Sequence, residues 1–205
     1  MLDEFNKLGF YTIHNFFDVD LINRIIKETN PLFEYTDSDS NILQIHEKAP
    51  SIKEIIFDER LNELVTKILG ENEPVQTQWR FKPPEGSGFP YHQDDFWTRA
   101  GHGNTINVLV HFEKTNELNG CIKVLPESHN PPFHSDGVSL NCDKGDITIL
   151  HNNLIHWSDK NTSLDWRRNL LVMYVKNNID YIPIHIEFES KDLIVETLQE
   201  ALLKS

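Results

Sequence analysis

The tripeptide His92-Gln93-Asp94 places an imidazole and a carboxylate two residues apart. Alternate side chains of an extended strand point to one side, so the pair can reach a single metal ion while Gln93 faces away. A third ligand from another strand would complete a two-histidine, one-carboxylate face. Such a face leaves three adjacent octahedral positions for a chelating co-substrate and dioxygen, the arrangement of non-haem iron oxygenases. The tripeptide is weak evidence by itself, because ten histidines and 32 acidic residues generate about one or two His-x-Asp/Glu matches by chance. His134-Ser135-Asp136 and His185-Ile186-Glu187 are among the other matches. The former follows Pro131-Pro132 and reads as a solvated loop. The latter lies downstream of every other histidine, in the alternation Ile182, Ile184, Ile186, Phe188, which reads as an ordinary strand with polar residues facing out.

Two histidines of the segment Gly145 to Ser158 could supply the third ligand. His151 and His156 are an odd number of residues apart, so one continuous strand would face them oppositely, whereas Asn152-Asn153 between them reads as a turn. Beyond them, Arg167 and Arg168 open the apolar run Leu170 to Val175. An arginine at the mouth of a buried strand needs an anionic partner. Its planar fork matches a carboxylate in bidentate fashion, as the distal carboxylate of 2-oxoglutarate would require, and a surface ion pair is its other common use. If Leu109 faces the interior, strand parity puts Asn107 and His111 beside it, lining either a pocket or a hydrogen-bonded core. Upstream, Gln76, Gln78, Arg80 and Lys82 alternate with Thr77, Trp79 and Phe81, giving one polar and one aromatic side. Phe89, Tyr91, Phe96, Trp97 and Arg99 surround the tripeptide and offer either a substrate wall or plain packing. His129 reads as a turn anchor. Asp95 reads as a supporting or solvent-facing acid.

The elements that must position these residues follow from periodicity. Gly9 to Ile13 reads as a short strand, followed by a helix that Asp18 caps and that carries Leu21, Ile22, Ile25 and Ile26 on one side. Residues 51 to 69 repeat apolar positions at three- and four-residue steps, which predicts a helix ended by Gly70. From residue 75 the period changes to short β-rich runs at about 75–81, 105–112, 121–125, 146–150, 169–176 and 182–188. This predicts a mainly β jelly roll, cupin-like, with flanking helices and one more amphipathic helix from Asp192 to Lys204.

Composition narrows the function further. A chain of 205 residues with 39% hydrophobic content suits one domain, 1–205. The formal charge of −13, with no lysine- or arginine-rich run, argues against nucleic acid and anionic membrane as partners. The first thirty residues carry charges throughout, so neither a secretory segment nor a spanning helix is expected. Cys121 and Cys142 form no close pair, which fits a reducing cytoplasm and ferrous iron.

Together these residues resemble the phytanoyl-CoA dioxygenase family. The likeness runs from Gly9-Phe10 through Pro83-Pro84, His92-Gln93-Asp94, Asn119-Gly120 with Pro126-Glu127-Ser128-His129, and Gly145-Asp146 to His156-Trp157-Ser158, Asn161-Thr162-Ser163 and Arg167. It implies a double-stranded β-helix in which His92, Asp94 and His156 hold iron(II). It also implies 2-oxoglutarate on that metal with Arg167 on its far carboxylate, O2 as oxidant, and a contribution from Lys82 to the co-substrate pocket, which strand parity would let Asn107 line as well. AlkB-like and prolyl-hydroxylase-like enzymes place their basic residue where Thr162 and Trp166 stand here. The family's Pro-Gly-Ser-His turn has Glu127 in place of glycine, Leu109 stands where a tryptophan is common, and the chain is shorter than most members, so its lids are expected to be reduced. Asp94 retains the carboxylate that related halogenases lose, which favours hydroxylation of a small metabolite. The readings that compete are a metal-binding isomerase or hydrolase of the cupin type and a non-catalytic 2-oxoglutarate sensor.

Overall fold

The computed structural model describes residues 1–32 and 40–182. Its strands are β1 Phe10–Ile13, β2 Ser40–Leu43, β3 Asn72–Lys82, β4 Phe89–His92, β5 Thr105–His111, β6 Ile122–Val124, β7 Val138–Ser139, β8 Ile147–His151, β9 His156–Ser158 and β10 Arg167–Lys176. Its helices are α1 Leu2–Leu8, α2 Val19–Thr29, α3 Ile52–Ile56, α4 Glu59–Leu69 and α5 Asp95–Thr98. The strands form two antiparallel sheets, one ordered β1-β8-β5-β10-β3-β2 and the other β4-β9-β6-β7. This is the expected jelly roll.

Strand parity divides the major sheet. In β5, Ile106, Val108 and Val110 face outward with Ile147 and Ile149 of β8, Leu170, Val172 and Tyr174 of β10, and Trp79 and Phe81 of β3, and they pack beneath the helices. Fully burying a side chain of this size contributes about 1.5–3 kcal/mol, so this outer layer holds the helices on. The opposite parity gives Leu109, Leu150, Leu171 and Met173, which meet Ile122, Val124, Leu140 and Cys142 of the minor-sheet side. The inner face is only partly apolar. One row across it pairs His111 with Asn169 and Asn169 with Arg80, and another pairs Arg167 with Lys82. Polar groups on an inner face that is otherwise packed mark the functional end of the barrel.

Asp18 caps α2 as expected, accepting from the Asp20 N–H at 2.7 Å. The single helix expected over 51–69 is instead two. α3 stops at Phe57, and Asp58 starts α4 by accepting from the Leu61 N–H at 3.1 Å. The apolar period runs through the break because both segments pack on the same sheet. Glu127, where glycine was expected, adopts the left-handed φ of 68°, a conformation that glycine would take without strain. The run 182–188, beyond its first residue, and the segment Asp192 to Lys204 lie outside the described residues. No helix among the described residues is long and apolar enough to cross a membrane.

The Gly145-Asp146 pair joins β8 to the start of the chain. Gly145 has φ 89°, and a Cβ there would meet the Phe17 carbonyl oxygen at 2.4 Å. Asp146 is 1% exposed and accepts from the N–H groups of Asn15 and Asp143, each at 2.8 Å, and from His14 Nδ1 at 2.7 Å. Burial raises the carboxyl pKa, but these hydrogen bonds outweigh burial and hold it below the ordinary value. A carboxylate with a depressed folded-state pKa contributes stability above its unfolded-state pKa and loses it as pH falls through the folded value. Asp146→Asn is therefore expected to cost about 1–3 kcal/mol at neutral pH. Urea denaturation checks this, and the gap between native and variant should narrow below about pH 4. A gap independent of pH would assign the cost to packing.

Candidate metal centre

β4 and β9 pair so that His92 lies directly opposite His156. The chain departs from strand geometry immediately after His92. Asp94 sits in helical conformation at the N-cap of α5, where its backbone carbonyl accepts from the Trp97 and Thr98 N–H groups while its side chain makes no capping bond. The alternation expected for an extended His-x-Asp segment is thus replaced by a strand-to-helix turn, which delivers Asp94 to the same side as His92. Gln93 turns away as expected and donates to the Asn153 carbonyl. Asp94 Oδ1 lies 3.7 Å from His92 Nε2, and Oδ2 lies 3.7 Å from His156 Nε2. These separations are too long for hydrogen bonds and suit donors arranged about a shared ion. All three residues are buried, and one ligand atom from each falls within 4.8 Å of the others.

The imidazoles are set for coordination by their other nitrogens. His92 Nδ1 donates to the Pro90 carbonyl at 2.8 Å and His156 Nδ1 to the Leu154 carbonyl at 3.0 Å. A carbonyl can only accept, so each Nδ1 carries a proton and each Nε2 is the atom turned toward Asp94. Burial, reinforced by the neighbouring His156, holds the His92 imidazole well below its usual pKa, which keeps it neutral as a ligand must be. The rings of Phe89 and Trp97 lie 4.7 and 5.0 Å from that of His92, both near edge-on, and restrain its tilt. The donor set therefore fits a borderline divalent ion such as iron(II).

Asn107 projects from β5 as strand parity predicted, and its Nδ2 donates to Asp94 Oδ2. Its amide oxygen is buried with no hydrogen-bond partner. The contact suits a residue that aims the carboxylate. Asn107→Leu is expected to weaken metal binding about 10- to 100-fold without unfolding the barrel. Competition against a chromophoric chelator measures this, and unchanged affinity would remove Asn107 from the centre.

His151 belongs elsewhere. The turn at Asn152-Asn153 sends it into a group with His129 and His102, each ring 4.8 Å from its own, beside a cavity of about 320 Å³ that Phe5, Ile68 and Leu69 help to line. Burial, then the two neighbouring histidines, push its pKa down to about 3, and its Nδ1 accepts from the Asn153 N–H. His129 anchors α1 by donating from Nε2 to the Asn6 carbonyl at 3.0 Å. His134 and Asp136 are exposed between strands. Asp95 accepts from the Gly101 N–H and from Asn152 Nδ2, tying the turn that carries Asp94.

The two arginines opening β10 part company by parity. Arg168 faces outward and pairs with Glu113 while Nη1 donates to Asn30. Arg167 is buried on the inner face directly opposite Lys82. Lys82 Nζ donates to Ser158 Oγ at 2.9 Å and to the Asp159 carbonyl at 2.7 Å. Ser158 stands two residues beyond His156 on the same side of β9, about 7 Å along the strand, so the basic pair flanks the candidate ligands. Near Arg167, His111 is held neutral, its pKa lowered to about 4 by burial first and then by the guanidinium. Its Nε2 contacts Thr148 Oγ1 at 3.0 Å. Asn169, between His111 and Arg80 in the cross-strand row, leaves a buried amide oxygen without a partner. The sequence reading passed over Asn169, although a polar residue two past Arg167 in a buried strand marks the same face. The expected aromatic wall divides: Phe89 and Trp97 brace His92, while Tyr91 stacks on Trp157 and, with Phe96, remains exposed. Arg99 is exposed as well.

Residues 5–169 match the model of the phytanoyl-CoA dioxygenase (PhyH) family. Among curated proteins, a 2-aminoethylphosphonate dioxygenase from the uncultured bacterium HF130_AEPn_1 is 27% identical over 151 residues, covering 65% of this chain and 56% of its own length. A phytanoyl-CoA dioxygenase domain-containing protein 1 homolog from Dictyostelium discoideum is 23% identical, covering 65% of this chain and 58% of its own length. The chain thus spans a little over half of either relative. Among solved structures, EctD from S. alaskensis, with 2-oxoglutarate and 5-hydroxyectoine, superposes with a TM-score of 0.76 at 20% identity over 90% of this chain and 78% of that one. This likeness shows the shared fold. With a family model matched from α1 into β10, across the strands that carry all three candidate ligands, the chain belongs to the phytanoyl-CoA dioxygenase family.

Proposed function

We propose that this chain is an iron(II)- and 2-oxoglutarate-dependent dioxygenase that hydroxylates an unactivated C–H bond of a small metabolite. The observation that carries the reading is the orientation of the rings: two buried histidines, each with Nδ1–H committed to a backbone carbonyl, turn Nε2 toward either side of Asp94. When bound, iron(II) with 2-oxoglutarate supplies the oxidising chemistry, in which 2-oxoglutarate, O2 and R–H become succinate, CO2 and R–OH. One oxygen atom enters succinate and the other the product.

The chain's own residues position and shield. His92, Asp94 and His156 would hold the metal from one side and leave the opposite side for ligands. Asn107 fixes the rotation of the Asp94 carboxylate. The planar fork of Arg167 would take the far carboxylate of the co-substrate, with Lys82 across the strand pair adding positive charge. Leu109, Leu171 and Met173, buried together on the inner face, would limit the access of water there. No side chain needs to move a proton for this reaction, which accounts for neutral histidines and amides where hydrolytic enzymes place acids and bases. Small-molecule substrates, rather than nucleic acid or membrane, fit the charge of −13. A reducing cytoplasm fits the buried thiols of Cys121 and Cys142.

Anaerobic addition of iron(II) and 2-oxoglutarate to the purified chain should produce a weak visible charge-transfer band, and admitting air should yield succinate. Iron binding without either result would discard the oxygenase reading.

A further inference from the structure

Arg80 stands apart from the other cations of the inner face. Arg167 and Lys82 lie together at one end, and Lys82 donates to Ser158 and Asp159. Arg80, two residues back on β3, shares the electrostatic neighbourhood of Asp94 and His92 instead. It is half-buried, so its guanidinium is neither sealed in the core nor free in bulk water. Its Nε donates to Gln78 Oε1 at 2.9 Å. Gln78 in turn donates to Gln76 and accepts from Asn41, so the neighbours on the side away from Lys82 are neutral amides. Across the row stand Asn169 and Asn41. Among the described residues no carboxylate forms an ion pair with Arg80, whereas Arg24, Arg60 and Arg168 each have one.

A cation held partly out of water beside a metal centre carries a desolvation cost that an anionic ligand relieves. Charge accounting points the same way. Two positive charges on iron would be balanced by Asp94 and the metal-bound carboxylate of 2-oxoglutarate, and Arg167 by the far carboxylate; Lys82 is held by Ser158 and Asp159, whereas Arg80 has no ion pair with a carboxylate among the described residues. The amides around it fix the plane of the fork and can donate further to the same ligand. We propose that the substrate of this enzyme carries an anionic head, of carboxylate or phosphonate oxygens, that docks on Arg80 and sets which carbon faces the metal. This rests on the dioxygenase reading and adds the chemical class of the molecule oxidised.

The test titrates ethylphosphonate and, separately, propionate into the chain loaded with manganese(II) and 2-oxoglutarate, which does not turn over, and follows the heat of binding. The native chain should bind at least one probe saturably, and the better probe names the head group. Arg80→Gln should weaken that binding about tenfold or more. Arg80→Lys, which keeps the charge and loses the fork, should fall between the two. Affinity for 2-oxoglutarate, measured in the same samples, should stay close to native, which also shows that the variants are folded. Binding of neither probe to the native chain, or equal binding by Arg80→Gln, overturns the proposal. So does a parallel loss of 2-oxoglutarate affinity in Arg80→Gln, which would place Arg80 on the co-substrate. If the native chain fails to bind 2-oxoglutarate in the presence of metal, the dioxygenase reading itself fails.

Discussion

Replacing His156 with alanine should remove metal binding and turnover together, while His151→Ala should leave both intact. The two histidines are separated by a single turn, yet they face different surroundings. His156 Nε2 points at Asp94 across 3.7 Å, whereas His151 stacks among His102, His129 and Phe5. Loss of an outer hydrogen bond to a metal ligand typically costs 10- to 100-fold in affinity or activity, and losing the ligand itself should exceed ~100-fold. The measurement is a cobalt(II) titration read by its visible ligand-field bands, with succinate formation as a second readout. Metal retained by His156→Ala and lost by His151→Ala would reverse the ligand assignment.

The second large effect concerns Arg167. A buried guanidinium whose anionic partner is bidentate should be costly to remove, and truncating one partner of such a pair costs about 2–5 kcal/mol. At about 1.4 kcal/mol per factor of ten, Arg167→Met should raise the 2-oxoglutarate concentration needed for half-maximal rate by ~30-fold or more. Arg167→Lys should recover only part of this, because the ammonium keeps the charge without the planar fork. Metal affinity without co-substrate should change little, since Arg167 lies on β10 opposite Lys82 and not on the strands that carry His92 and His156. If Arg167→Met altered metal affinity and 2-oxoglutarate dependence equally, the role of Arg167 would be to hold the barrel end rather than to read a carboxylate. Neighbouring His111, neutral down to about pH 4, should leave the co-substrate dependence flat across neutral pH.

Much of this arrangement is legible in one dimension because strand parity is a local property. Residues 105–111 alternate so regularly that Asn107, Leu109 and His111 could be assigned to one face before any partner strand was known. The same parity separates Arg167 from Arg168 and predicts that only one can serve the interior. Turn chemistry was readable too, as Asn152-Asn153 was enough to break the run containing both candidate histidines.

What failed locally failed for identifiable reasons. Residues 51–69 read as one helix because α3 and α4 bury Ile52, Ile55, Leu61 and Val65 against the same sheet, and periodicity does not register the reset at Asp58. The extended reading of His92-Gln93-Asp94 failed because the turn into α5 is set by Asp95, whose carboxylate accepts from Gly101 and Asn152, residues brought in by other parts of the chain. Lys82 was legible as one of four polar residues on one strand face, which could equally turn inward or to solvent. Its attachment to Ser158 and Asp159 depends on how the two sheets face each other, which no local pattern records.

The sequence by itself determined the candidate ligand types, the change of period that makes the chain a β-barrel, and the shared face of Asn107, Leu109 and His111, because each depends on residue chemistry and on spacing along one strand. Only the tertiary structure decided which histidine faces Asp94, which ring nitrogen is free, and that Asn107 aims the carboxylate. Those outcomes depend on the β4·β9 register and on the backbone carbonyls of Pro90 and Leu154, and such groups are the same at every position of a sequence until the fold places them.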